Sequence, residues 1–104
     1  MEALRSSIVE RSLEVSARIN LHKTHRQSTG GKEIVDVNGN TVGECLRDLV
    51  SQYPELEKEI FDKKGNLLSV LEIYLNGASA YPDELKKVVK EGDEIHLLTM
   101  LAGG

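Results

Sequence analysis

The amino-acid sequence predicts an α+β fold: a mixed sheet crossed on one face by one main helix. Three observations carry that prediction. Four segments show the apolar-polar alternation of half-buried strands, one segment between the second and third of them has helical three-and-four spacing, and turn-forming residues stand at the joints. At 104 residues the chain suits a single core and is too short for two.

Residues 14–22, EVSARINLH, alternate without a break, with Val15, Ala17, Ile19 and Leu21 on one side and Glu14, Ser16, Arg18, Asn20 and His22 on the other. The polar stretch KTHRQSTGG ends in two glycines and reads as a hairpin loop. KEIVDV then resumes the alternation with Val35 and Val37 inward. Asn38-Gly39-Asn40 is turn chemistry, and Thr41 with Glu44 makes the T-x-x-E pattern of a capping box, whose side chains satisfy free amides at a helix start. The helix is expected from about Thr41 to Tyr53, because Val42, Cys45, Leu46, Leu49, Val50 and Tyr53 share one face and Pro54 disfavours helix in the residue before it. Pro54 can itself open a second short helical turn, PELEKEIF, ending near Lys64.

VLEIYLNG gives the third strand, with Leu71, Ile73 and Leu75 to one side, Glu72 and Tyr74 to the other, and an Asn76-Gly77 turn to close it. In YPDELKKVVK the spacing of Leu85, Val88 and Val89 allows a short helix. Gly92-Asp93 is a turn, and EIHLLTM is the last strand. Residues 1–13 form an N-terminal extension with only a weak helical spacing at Leu4, Ile8 and Arg11; the domain proper is residues 14–104.

Thirteen basic against seventeen acidic residues give a formal charge of −4, and the basic residues are scattered, which argues against nucleic acid as a partner. No apolar stretch approaches the ~20 residues of a membrane span, and the first residues lack the unbroken apolar core of a secretory signal, so a cytoplasmic protein is expected. The single cysteine, Cys45, permits no internal disulfide and no zinc framework. Its place on the apolar helix face points to a buried structural thiol, with a reactive thiol as the alternative.

No catalytic constellation assembles. His22 and His25 fall on a strand end and its loop, so their spacing does not bring both rings to a metal, and solvated or hydrogen-bonded histidines are expected instead. STGGK at 28–32 lacks the spacing of a P-loop and precedes a strand rather than a helix. The carboxylates of ELEKEIFDKK read as a solvated helical face, with Glu55 near Glu59 and Lys58 near Asp62. Ser28 and Ser69 have no context that marks a nucleophile. An enzyme is not indicated, and no metal site is.

Attention therefore falls on the sheet surface and the tail. If the helix covers the face carrying Leu71, Ile73, Leu75, Ile95 and Leu97, the opposite face presents Arg18, Ile34, Tyr74, His96, Leu98 and Met100. A solvent face that includes Ile34, Tyr74, Leu98 and Met100 is out of pattern and suggests a protein-binding surface, unless the N-terminal extension covers it. The chain finishes Leu101-Ala102-Gly103-Gly104, and its last two residues, both glycine, can pack nothing.

The stretch TGGKEIVDVNGNTVGECLRDLVSQYPELEKEIFDKKGNL, followed by IYLNG, EGDEIHLL and AGG, resembles the MoaD/ThiS family of ubiquitin-like sulfur carriers, which includes the small subunit of molybdopterin synthase and the thiamin sulfur carrier. The resemblance covers residues 14–104 and implies a β-grasp (ubiquitin-like) fold, with residues 81–90 free to form an irregular crossover. It implies a carrier that binds no cofactor itself. A ThiF/MoeB-type adenylating enzyme would use ATP to activate the Gly104 carboxylate, and a sulfur donor would convert the adenylate to a thiocarboxylate. An acceptor biosynthetic enzyme, or a synthase large subunit, would take the sulfur for molybdopterin, thiamin or a related product. Gly104 would carry the covalent bond; Gly103, Ala102 and Leu101 would be recognised in the partner's channel, and Ile34, Tyr74, His96, Leu98 and Met100 would dock. Residues 1–13 and the absence of proline before the tail depart from the family pattern and leave the pathway open. Two alternatives stay beside the carrier: a protein modifier conjugated through Gly104, and a non-covalent β-grasp interaction module.

Overall fold

The computed structural model describes residues 17–100, so the N-terminal extension, Val15 and the four tail residues lie outside the described part. Five strands form one sheet: β1 (Ala17–Leu21), β2 (Ile34–Val37), β3 (Leu71–Leu75), β4 (Ala78–Ser79) and β5 (Asp93–Thr99). Their order across the sheet is β2-β1-β5-β3-β4. β1 and β5 run parallel at the centre and every other pair is antiparallel, which is the mixed sheet of a β-grasp fold. The sequence anticipates four of these strands. The fifth, β4, has only two residues, too few for alternation to reveal. It exists because Asn76 and Gly77 take positive φ (52° and 85°), the tight turn that folds the chain back on β3.

Helix α1 (Val42–Gln52) crosses the sheet. Thr41 caps it, its Oγ1 accepting from the Glu44 amide at 3.1 Å, and the Glu44 carboxylate accepts from the Asn40 amide at 2.7 Å. The capping box therefore reaches one residue further back than its usual form. The main-chain amide of Thr41's neighbour Val42 is occupied elsewhere, bonding the Lys87 carbonyl beside an isolated Thr41–Val88 bridge. This contact makes residues 87–89 extended: only Glu84–Lys86 turn helically, as a 3-10 segment, and Val88 is exposed while Val89 is buried. Gly43 permits the approach, since a β-carbon there would meet the Leu85 carbonyl oxygen at 2.9 Å.

Past Tyr53 a 3-10 turn (Pro54–Leu56) leads into a one-turn helix α2 (Glu57–Ile60). The second helical segment thus ends at Ile60, four residues before the sequence-based expectation. Phe61 is pulled into an extended conformation by its bridge to Leu67, and Asp62 closes the turn by accepting from the Lys64 and Asn66 amides. Arg47 of α1 stacks on Phe61, 3.9 Å from its ring centroid.

The core lies between α1 and one sheet face. Ile19, Val37, Val42, Cys45, Leu46, Leu49, Leu56, Ile60, Ile95 and Leu97 are fully buried. All but Leu56 and Ile60 are positions that the alternation and the helical spacing select. Among the described residues no helix is long and apolar enough to cross a membrane.

Candidate functional site

The strand register lays the opposite sheet face out in rows. Asn20 pairs with Ile34 on one side and His96 on the other, and His96 pairs with Tyr74, so Ile34, Asn20, His96 and Tyr74 form one row across four strands. One step toward the tail, Leu98 pairs with Glu72. One step further, the Met100 amide donates to the Val70 carbonyl at 2.6 Å. In the other direction Arg18 pairs with Asp36 and Glu94, its Nε 3.3 Å from the Asp36 carboxylate. The face grades from charged at the Arg18 end to apolar at the end where the tail leaves. Adjacent strands are ~4.8 Å apart, so Ile34 stands ~10 Å from His96 and is a separate apolar point.

All five predicted docking residues lie on or beside this face. Ile34 and Met100 are exposed, and Tyr74, His96 and Leu98 are half-buried. Met100 stands just past β5 and also lines a groove of about 360 Å³ with Leu67, Leu68 and Tyr81. The structure adds Val70, exposed and paired with Met100. The sequence hides it, because it sits in the turn before β3 where no alternation marks it. The His96 ring is 3.7 Å from the Glu94 carboxylate, and the Tyr74 hydroxyl donates to Glu72 over 3.5 Å; at such lengths on an open surface neither fixes its partner firmly. The predicted covalent and tail positions, Leu101, Ala102, Gly103 and Gly104, lie outside the described residues.

A second cluster lies where the sequence promises only a polar loop. Lys23–Thr29 coil into a 3-10 helix that buries His25 and Thr29. His25 Nδ1 bonds the Glu59 carboxylate at 2.8 Å, Ser28 donates to the other oxygen of Glu59, and His25 Nε2 meets the Thr99 hydroxyl. Glu59 therefore leaves the solvated face expected of its segment and becomes a cross-domain anchor. His22, by contrast, is exposed, and its ring bonds its local neighbour Thr24, at both the amide and the hydroxyl. The two histidines do not converge.

Cys45 is fully buried, and burial first, then the carboxylates of Asp48, Glu44 and Asp93, pushes its thiol up to about 11. A thiol so disposed carries negligible thiolate at neutral pH and has no nucleophilic character. The Asp93 carboxyl is held below its ordinary range by the Lys90 amide and then the Asn76 side chain, contacts that fasten the β3–β4 turn to the start of β5.

The ThiS family profile matches residues 19–104 of the chain. The chain is 29% identical over 82 residues to the sulfur carrier protein CysO of Mycobacterium tuberculosis, covering 76% of this chain and 88% of that one. It is 37% identical over 71 residues to small archaeal modifier protein 1 of Haloferax volcanii, covering 67% and 78%. Among solved structures, the BexX/CysO complex of Amycolatopsis orientalis contains a chain that superposes with a TM-score of 0.76 at 26% identity, over 85% of this chain and 99% of that one.

Proposed function

The chain belongs to the ThiS family, and from that premise we propose that it is a sulfur carrier whose covalent site is the carboxylate of Gly104. The observation that supports this reading is the family match itself, which runs from β1 through Gly103-Gly104, together with a β5 that ends at Thr99, five residues before Gly104 in the sequence. A terminal carboxylate, with a pKa near ~3.5, is ionised at neutral pH and resists nucleophiles. One of its oxygens attacks the α-phosphorus of ATP held by a ThiF/MoeB-type enzyme, and pyrophosphate leaves. A sulfide-level nucleophile from the sulfur donor then adds at the Gly104 carbonyl carbon and expels AMP, leaving a thiocarboxylate. An acceptor enzyme, of molybdopterin, thiamin or related biosynthesis, consumes it.

The tail glycines serve this chemistry by leaving the acyl carbon unshielded; without a β-carbon they pass a narrow channel and approach a nucleotide closely. Fully extended, residues 100–104 reach at most about 17 Å from the end of β5. The face flanking β5 then docks: Tyr74, His96, Leu98 and Met100, with Val70 beside them, seat the domain on the activating enzyme so that the arm enters its site. That CysO has been solved in complex with BexX supports binding of a partner protein by a carrier of this fold. Leu98→Asp is expected to weaken binding to the activating enzyme at least about tenfold, since it places a charge in a desolvated contact, while the half-buried site tolerates it with little change in melting temperature. Titration calorimetry that shows unchanged affinity would remove Leu98 from the interface.

The likeness to small archaeal modifier protein 1 favours a second reading, in which a lysine amine of a target protein attacks the same adenylate, expels AMP and leaves an isopeptide bond to Gly104. Intact-mass analysis after incubation with the activating enzyme, ATP and sulfide, and of protein isolated from its native host, separates the two. An oxygen-to-sulfur increment at the C-terminus marks the carrier and a ladder of conjugates marks the modifier. An unaltered mass in both samples overturns both.

A further inference from the structure

We propose that His25 is a positioning residue for the carboxy-terminal arm, a lateral brace that fixes the point where the arm leaves the sheet. The inference rests on the carrier reading given above. β1 ends at Leu21, opposite Leu97, and its last link to β5 is the His22 amide donating to the Leu97 carbonyl at 3.2 Å. Beyond Leu97, β5 has a neighbouring strand on one side only. On that remaining side the register alternates. The Met100–Val70 bond, with the Leu71–Thr99 and Glu72–Leu98 pairings, places the main-chain bonds to β3 at residues 98 and 100, so Thr99 turns its own amide and carbonyl away from β3. The last residue of the strand would therefore have no support on the β1 side.

The 3-10 helix after β1 supplies it. It brings the His25 ring, 4% exposed and with both nitrogens engaged, onto the side chain of Thr99. An ionised carboxylate can only accept, so Nδ1–H donates to Glu59, while Nε2 pairs with the Thr99 hydroxyl, which can serve as either donor or acceptor. Glu59 is held in turn by Ser28 and by its place on α2. The chain Ser28 to Glu59 to His25 to Thr99 thus ties two separate helical segments to the final residue of β5. Burying a histidine is costly unless each polar atom is matched, and among the described residues no buried side-chain polar atom is left without a partner. Its product is a rigid root for the arm.

A loose root would let the arm's first residues peel from β3 and sweep Gly104 over a wider volume. Tyr74 and His96 of the docking face, a row back from the arm, would keep their places. The brace should therefore act mainly on turnover of the docked carrier. Thr99→Val keeps the shape and the β propensity of the side chain and removes only the hydroxyl. In native-state hydrogen exchange we expect the Leu98 and Met100 amides to exchange at least about tenfold faster than in the wild type, with core amides such as Leu46 unchanged. With a purified ThiF/MoeB-type enzyme of the source organism and ATP, kcat for Gly104 adenylation falls about three- to tenfold at constant KM, and Thr99→Ser restores both. Unchanged exchange at Leu98 and Met100 shows that there is no brace. Faster exchange with unaltered kcat, or a change confined to KM, shows a brace that does not position the arm. Absence of adenylation in the wild type defeats the carrier reading and with it the role in positioning, while the exchange data still decide whether the brace exists.

Discussion

Removal of Gly104 alone is expected to abolish adenylation, to below detection by intact mass or pyrophosphate exchange, with a melting curve that superposes on the wild type. The shortened chain still ends in an ionised glycine carboxylate, so its intrinsic reactivity is unchanged. What it lacks is length: one residue is about 3.5 Å of extended chain, and misplacement by ~1 Å at a reacting centre already costs about a hundredfold. Gly104→Ala keeps the length and adds a β-carbon at the acyl position, which should slow the reaction rather than stop it. Wild-type turnover by the deletion variant would falsify both covalent readings, because each places the new bond on the same carbon.

The largest effect on stability is expected at Leu46. It is fully buried on the face of α1 that meets the sheet, between Cys45 and Leu49, which are buried as completely. Leu46→Ala removes the transfer free energy of the lost methyl and methylene groups and opens a cavity that the helix cannot collapse, since Thr41 and the Lys87 contact pin its first turn. The expected loss is about 3 kcal/mol, a large share of the stability of a domain this size. That corresponds to a fall of roughly 12–20 °C in melting temperature. A loss under about 1 kcal/mol in urea denaturation, at unchanged m-value, would show that the α1–sheet layer repacks freely. The contrast with Leu98→Asp is the informative one: the two leucines sit on opposite faces of the same two layers, and only one of them holds the fold.

Most of the scaffold is legible in the sequence because its signals are periodic. Ala17, Ile19 and Leu21, Val35 and Val37, Leu71 and Ile73, and Ile95 and Leu97 are buried as alternation requires, and Cys45, Leu46 and Leu49 as helical spacing requires. The half-exposed opposite face of the sheet follows from the same alternation read from its other side. What escapes is aperiodic. The partnership of His25 with Glu59 and Thr99 joins positions 34 and 74 residues apart, and nothing local in KTHRQSTGG or ELEKEIF marks it. The extended form of residues 87–89 comes from a main-chain contact with the start of α1, which overrides the weak helical spacing of Leu85, Val88 and Val89. Val70 shows itself only once Met100 is placed opposite it. The signal that could have found the brace is a negative one: a histidine, a serine and a threonine packed into a loop that connects two strands directly need little of that chemistry for a turn.

The parallel pairing of β1 with β5 governs how the chain can be made. Ala17 lies beside Asp93, so the centre of the sheet joins the first described strand to the last, and closing it spans almost the whole domain. Such non-local pairing makes folding slow relative to a helical protein of equal size. It also makes folding late. While the ribosome is still ahead of β5, the β1–β2 hairpin and α1 can form only in part, and β3 has no strand to join it to them. A nascent chain interrupted before that point lacks the central strand of its sheet. The sheet can therefore close only after β5, the last described strand, has been translated.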